Sequence, residues 1–155
     1  MSASSLAVRR VAPASGLVVV AGLVGVGKTE LLRELAAMGE QVLDLEGLAS
    51  HRGSAFGGIG LPPQPTRRAF ATAVRRELSA ADPTRVLWVE DEGPFVGRVG
   101  VPPELQARMA RAPAIELRAS MEARVARLVA TYARATPAEL EAAIARSATR
   151  LGRER

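Results

Sequence analysis

The feature that most constrains this sequence is the stretch Gly22-Leu23-Val24-Gly25-Val26-Gly27-Lys28-Thr29, which follows directly on the apolar run Leu17 to Ala21 (LVVVA). It fits G-x-x-x-x-G-K-[ST]. A continuous β-branched run reads as a strand buried on both faces of a parallel sheet. Beyond the glycines, Leu31, Leu32, Leu35 and Ala36 share one face of a helix over 29–38, which Gly39 stops. Between strand and helix, glycines let successive backbone N–H groups turn inward and form an anion nest, and the positive end of the helix dipole adds to it. Gly22, Gly25, Val26, Gly27, Lys28, Thr29 and Glu30 are therefore expected to hold a di- or triphosphate such as ATP or GTP. Lys28 would reach the outer phosphates, and the Thr29 hydroxyl would ligate Mg²⁺.

Composition sharpens the role of Lys28. The chain has 21 basic residues, of which 20 are Arg and one is Lys. Arginine serves wherever it can, and the exception stands where a compact ammonium must fit between phosphates. With no cysteine in its 155 residues, the chain holds no disulfide, thiolate metal site or cysteine nucleophile. No apolar run reaches 18 residues, so no membrane partner is expected, and the chain reads as cytoplasmic. The net charge is +5, and residues 101–155 hold 10 Arg against 6 Glu. A basic C-terminal third suits a polyanion such as nucleic acid, or forms a solvated arginine-rich helical face.

The rest of the chain alternates strand and helix patterns. Strands are expected at 41–45 (QVLDL), 86–89 (VLWV) and 114–117. Helices are expected from Thr66, as cap, to about Ala80, from Pro102–Pro103 through Met109, over 121–132 and over 137–151. Residues 46–65 include eight Gly or Pro and read as a long loop. Trp88 reads as core. The pattern predicts one three-layer α/β domain over 17–155, a kinase-like P-loop NTPase fold with a parallel sheet. It has a loose lead-in over 1–16 and a basic helical part over 119–155. Met1 and the lead-in suggest a complete reading frame.

Thr29 needs an acidic partner at a neighbouring strand end to hold the metal. Asp44 and Glu46 end the second strand, and Glu90, Asp91 and Glu92 end the third. Three adjacent carboxylates cannot all point one way, so at most two of the latter serve. Thr29, Asp44 and Asp91 form the expected Mg²⁺ set. His51, Arg52 and Ser54 lie in the long loop; Arg52, Arg67 and Arg68 would contact phosphates or RNA.

The stretch Val42-Leu-Asp44-Leu-Glu46-Gly-Leu-Ala-Ser-His51-Arg52-Gly53-Ser54-Ala55-Phe56-Gly57 resembles tRNA 2-selenouridine synthase. So do Pro63-Gln64-Pro65 with Phe70, Trp88-Val-Glu90-Asp91-Glu92 and Gly97-Arg98-Val99. The string HRGSAFG is more distinctive than the phosphate loop, which many families share. The resemblance covers about residues 17–134 and implies an enzyme that replaces the sulfur of wobble 2-thiouridine in tRNA with selenium. It implies an S-geranylated intermediate, with geranyl diphosphate and then selenophosphate as small substrates, so the loop would bind a diphosphate substrate rather than a nucleotide. Asp44, Glu46, His51, Arg52, Ser54, Glu90 and Asp91 would then shape the reacting site. The family also carries a rhodanese-like domain with a reactive cysteine; the resemblance implies that a separate polypeptide supplies that half, or that this chain is limited to part of the reaction. Val24 and Val26 stand where the family has a hydroxyl and a small residue, and the helical tail is shorter.

Two other readings stand beside this one. Residues 115–128 (IELRASMEARVARL) resemble the strand and arginine helix before the lid of small-molecule and nucleotide kinases, with Arg124 and Arg127 as phosphoryl clamps. A non-catalytic tRNA- or nucleotide-binding module fits the basic third equally.

Overall fold

The computed structural model describes residues 16–151; all but the last residue of the lead-in expected over 1–16, and the last four residues of the chain, lie outside them. The elements run β1 (Leu17–Ala21), α1 (Lys28–Ala37), β2 (Gln41–Leu43), α2 (Leu45–Ala49), α3 (Arg67–Ala80) and β3 (Leu87–Glu90). They continue with β4 (Phe95–Val96), β5 (Val99–Gly100), α4 (Pro103–Met109), β6 (Ala114–Glu116), α5 (Met121–Tyr132) and α6 (Pro137–Leu151). Four strands form one parallel sheet in the order β2-β3-β1-β6. The strand that carries the phosphate loop is thus central, as its unbroken apolar sequence requires.

Side chains alternate across a strand, and both faces of β1 are covered. Leu17 and Val19 join Leu87 and Val89 of β3 in a core closed by Phe70 and Val74 of α3, Leu105 of α4, and Leu45 and Ala49 of α2. Val18 and Val20 point the other way and are buried too, and α1 packs against β2 and β3. This is the expected α/β P-loop NTPase fold with a parallel sheet. Helix α3 begins where Thr66 accepts a hydrogen bond from the Ala69 amide at 3.1 Å, and its apolar stripe buries Phe70 and Val74 completely. Trp88 is half-buried, and its Nε1 donates to Glu40 at 3.4 Å.

Two stretches depart from the sequence reading. The second strand stops at Leu43, because the Asp44 side chain accepts a hydrogen bond from the Gly47 amide at 2.8 Å and starts α2. A capping aspartate that offers its carboxylate to the local backbone competes with the ladder, so 45–49 is helix rather than strand end and loop. The second is the antiparallel hairpin β4–β5, turned at Gly97 and Arg98 with Gly97 at φ 60°. Gln64 stitches this hairpin to the 51–65 segment. Its Nε2 donates to Val96 O at 2.9 Å and Ala49 O at 3.2 Å, while its Oε1 accepts from the Arg98 amide at 2.8 Å.

Helices α5 and α6 sit differently from the others. No residue of α5 is fully buried, and among the described side chains of α6 only Ala143 is. Their apolar stripes are therefore only partly used. No helix among the described residues is long and apolar enough to cross a membrane.

Candidate phosphate and metal site

The phosphate loop leaves β1 and enters α1 through backbone that only glycine adopts comfortably. Gly25 has φ 77°, and a β-carbon there would lie 2.8 Å from the Arg124 carbonyl oxygen; Gly27 caps α1 at φ 103°. No side chain caps α1, so the first-turn N–H groups face outward as an anion site. The Lys28 ammonium folds back over the loop and donates to Gly22 O at 3.0 Å. The Val26 amide, expected to face the anion, is engaged by Leu23 O at 3.1 Å, and its side chain is buried.

A cavity of about 590 Å³ opens over this loop, lined by residues 22–30 and by Arg33, Glu46, Arg52, Gly53, Ser54, Asp91, Glu92, Arg127 and Tyr132 among others. Arg52, Gly53 and Ser54 of the 51–57 stretch and the phosphate loop, far apart in sequence, therefore share one space. Beside Thr29 stand three carboxylates, of Glu46, Glu90 and Glu92, each offering an oxygen within 4.8 Å of the others. The Thr29 hydroxyl lies 3.1 Å from Glu46 Oε2 and 3.4 Å from Glu90 Oε2; with one proton to give, it serves one at a time. Glu90 is fully buried, and its Oε1 has no hydrogen-bond partner.

Such a cluster resists ionisation. Burial, followed by the charges of Glu46 and Glu92, pushes Glu90 up to about 8. Burial, followed by the charge of Glu46, pushes Glu92 up to about 7 against the pull of Lys28. Burial also raises Glu46, although the Thr29 hydrogen bond and Lys28 oppose it. An all-oxygen donor set with an orphaned buried oxygen fits a hard divalent cation such as Mg²⁺, which would relieve the mutual repulsion.

The expected metal set of Thr29, Asp44 and Asp91 is arranged otherwise. Asp44 caps α2 and does not line the cavity. Asp91 lines it, but is exposed and accepts from the Gly93 amide at 3.0 Å. Glu46, Glu90 and Glu92 are what the fold gathers at Thr29. Alternation explains the difference, since residues 90 and 92 share a side when the chain leaves β3 extended.

The long-loop residues divide as well. Arg52 lines the cavity, donates through Nη1 to Ile59 O at 2.8 Å and lies 5.8 Å from the centre of the Tyr132 ring. Ser54 also lines it, with its Oγ 2.9 Å from the Tyr132 hydroxyl. His51 does not line the cavity. Its ring packs under Gly57 and Gly97, and its Nδ1 is buried without a partner. Burial and then the charges of Arg146, Arg52 and Arg98 hold it below the ordinary histidine value. Glu30 sits at the loop's mouth, ion-paired with Arg127 at 2.7 Å. The sequence reading missed Tyr132, which meets Ser54, Arg52 and Phe56 together. As the single tyrosine in a chain with 3% aromatics, it carried a signal in its rarity.

A glycine-rich turn after a central parallel strand, a lysine and threonine opening the next helix, and an acidic strand end beside the threonine together define a protein of the P-loop NTPase fold. The comparisons with known proteins narrow this class. The family model described as the tRNA 2-selenouridine synthase AAA domain matches residues 15–153, and the chain belongs to that family. It is 43% identical over 124 residues to the tRNA 2-selenouridine synthase of Cupriavidus necator, covering 78% of this chain and 32% of that protein. Against the enzyme of Cupriavidus pinatubonensis it is 39% identical over 134 residues, 85% of this chain and 35% of that protein. Against that of Verminephrobacter eiseniae it is 44% identical over 117 residues, 74% and 31%. The chain thus spans about a third of the length of the curated relatives it matches.

Proposed function

We propose that this chain is the phosphate-binding part of a tRNA 2-selenouridine synthase, acting in the cytoplasm with tRNA and with a rhodanese-domain protein as partners. One observation carries the reading. The phosphate loop and residues Arg52, Gly53 and Ser54 of the family-distinctive stretch 51–57 line a single cavity. Lys28 and the loop amides would hold the diphosphate of geranyl diphosphate, and later the phosphate of selenophosphate. Thr29 with Glu46, Glu90 and Glu92 would hold Mg²⁺, whose charge offsets that of the departing pyrophosphate. When the thiouridine sulfur attacks the geranyl carbon, a carbon–oxygen bond breaks and pyrophosphate leaves. An amide nest with one ammonium stabilises that leaving group. Arg52 lines the same cavity beside Tyr132, suited to the negative charge and flat faces of a nucleotide.

The test is to mix the full chain with 2-thiouridine tRNA, geranyl diphosphate, Mg²⁺ and a rhodanese-domain protein of the family. The tRNA mass is then followed before and after adding selenophosphate. The mass is expected to rise by one geranyl group and then fall to that of the selenated tRNA. Unchanged tRNA, with folded protein that still binds pyrophosphate, would overturn the reading.

A second reading, a small-molecule or nucleotide kinase, is favoured by the two arginines of α5 above the loop, since Arg124 Nε donates to Val24 O at 2.9 Å and Arg127 Nη1 to Gly25 O at 2.8 Å. It requires phosphate transfer from ATP without tRNA. A panel of metabolites with labelled ATP decides between the two.

A further inference from the structure

We infer that Arg127, carried on α5, is the second cation of the phosphate site and the residue that lets it distinguish two phosphates from one. The inference rests on the phosphate-loop reading and adds to it a second charge, at the far end of the loop. Lys28 is tethered at one end, by Gly22 O. Arg127 is tethered at the other: Nη1 donates to Gly25 O at 2.8 Å, and Nε lies 2.7 Å from a Glu30 carboxylate oxygen. A guanidinium has five N–H groups in a fixed fork. Here two edges are anchored, while Nη2, engaged by no hydrogen bond among the described residues, lies 3.5 Å from the position a β-carbon on Gly27 would take. Its free edge therefore faces the last glycine of the loop, beside the Glu30 carboxylate, whose Oε2 lies nearer, 2.8 Å from the same position. Glu30 is the positioning residue, holding the Nε edge so that the Nη2 edge turns inward.

The way α5 is attached supports this. No residue of the helix is fully buried. Its attachments run to the site: Arg124 Nε to Val24 O, Arg127 to Gly25 O and Glu30, the Leu128 side chain and Arg124 carbonyl against Gly25, and the Tyr132 hydroxyl to Ser54. The helix is thus docked on the phosphate loop. One phosphate in the nest is met by amides and Lys28, whereas a second, toward Gly27, meets the Nη2 edge that the Glu30 ion pair and the Gly25 hydrogen bond leave open. Charge-assisted contacts of this kind are about twice as strong as neutral ones.

The experiment titrates the full chain calorimetrically with Mg²⁺-pyrophosphate, and measures inorganic phosphate by competition. Arg127→Ala is expected to weaken pyrophosphate by about tenfold or more while changing phosphate by less than about threefold. Arg127→Lys, with the charge but not the fork, is expected to fall between. In the unaltered protein, hydrogen exchange of α5 is expected to slow more with pyrophosphate than with phosphate, which needs no variant. Unchanged pyrophosphate affinity in folded Arg127→Ala overturns the inference. So does an equal loss of both anions, which would make Arg127 a brace for the loop, and so does α5 exchange indifferent to pyrophosphate. Lys28→Ala separates the two levels. If it abolishes pyrophosphate binding and Arg127→Ala does not, the phosphate loop stands and the arginine assignment falls. If neither matters, the loop reading itself falls.

Discussion

Replacing Glu90 by Gln tests whether the carboxylate cluster is built around a cation. Glu90 is fully buried, one oxygen has no partner, and two other carboxylates approach within 4.8 Å. Without a divalent cation its carboxyl titrates at about 8, against an ordinary 4.5. The folded chain therefore holds a proton that the unfolded chain has released between those values. Stability is full below about pH 4.5 and falls as the pH rises through about 8. At pH 7 the difference amounts to about 3 kcal/mol, an upper bound because three coupled carboxylates share it. Gln keeps the shape without the charge, though its amide needs partners of its own, so the net gain for Glu90→Gln is expected between about 1 and 3 kcal/mol. The assay is urea unfolding at pH 6 and pH 8.5, in EDTA and in excess Mg²⁺. In EDTA the unaltered protein should weaken between the two pH values and the variant much less. Mg²⁺ should restore the unaltered protein and do little for the variant. An unchanged pH slope in Glu90→Gln, or equal stabilisation of both proteins by Mg²⁺, would refute the reasoning.

Three further outcomes follow from the same contacts. Phe70→Ala empties the centre of the core, where the ring is fully buried, and should cost about 3–5 kcal/mol in chemical denaturation. Gln64→Ala leaves Val96 O, Ala49 O and the Arg98 amide without their side-chain partner; it should cost about 1–3 kcal/mol and speed hydrogen exchange in the β4–β5 hairpin. Thr29→Ala removes the hydroxyl shared between Glu46 and Glu90, and should cut the Mg²⁺ dependence of pyrophosphate binding while leaving metal-free binding within about threefold.

The parts of this molecule legible in the sequence are those where one signal acts alone. LVVVA allows only a buried strand, the glycines after it only a turn, and Thr66 with apolar residues every fourth position only a capped helix. The parts that were not legible are those where two signals compete. Leu45 continues the apolar pattern of the second strand, yet the Asp44 side chain captures the Gly47 amide and turns the chain into α2. That turn carries Glu46 to Thr29. The β4–β5 hairpin has strands of two residues, too short for any period, and is held by a glutamine distant in sequence. At the site, the choice among Glu90, Asp91 and Glu92 follows from alternation along an extended chain, a rule available from the sequence once β3 is assigned. The position of α5 over the loop entered only through the likeness of residues 115–128 to the arginine helix before a kinase lid; its arginine contacts to the Val24 and Gly25 carbonyls leave no pattern of their own in sequence.

The central claim, that residues 22–29 close on a pyrophosphate-like anion, is tested most directly by calorimetric titration of Lys28→Ala beside the unaltered chain. The ligands are pyrophosphate, geranyl diphosphate and ATP, each with Mg²⁺. Removing the ammonium that now rests on Gly22 O is expected to weaken whichever anion binds best by about tenfold or more. Equal affinities of the two proteins for all three compounds, with the fold intact, would contradict it.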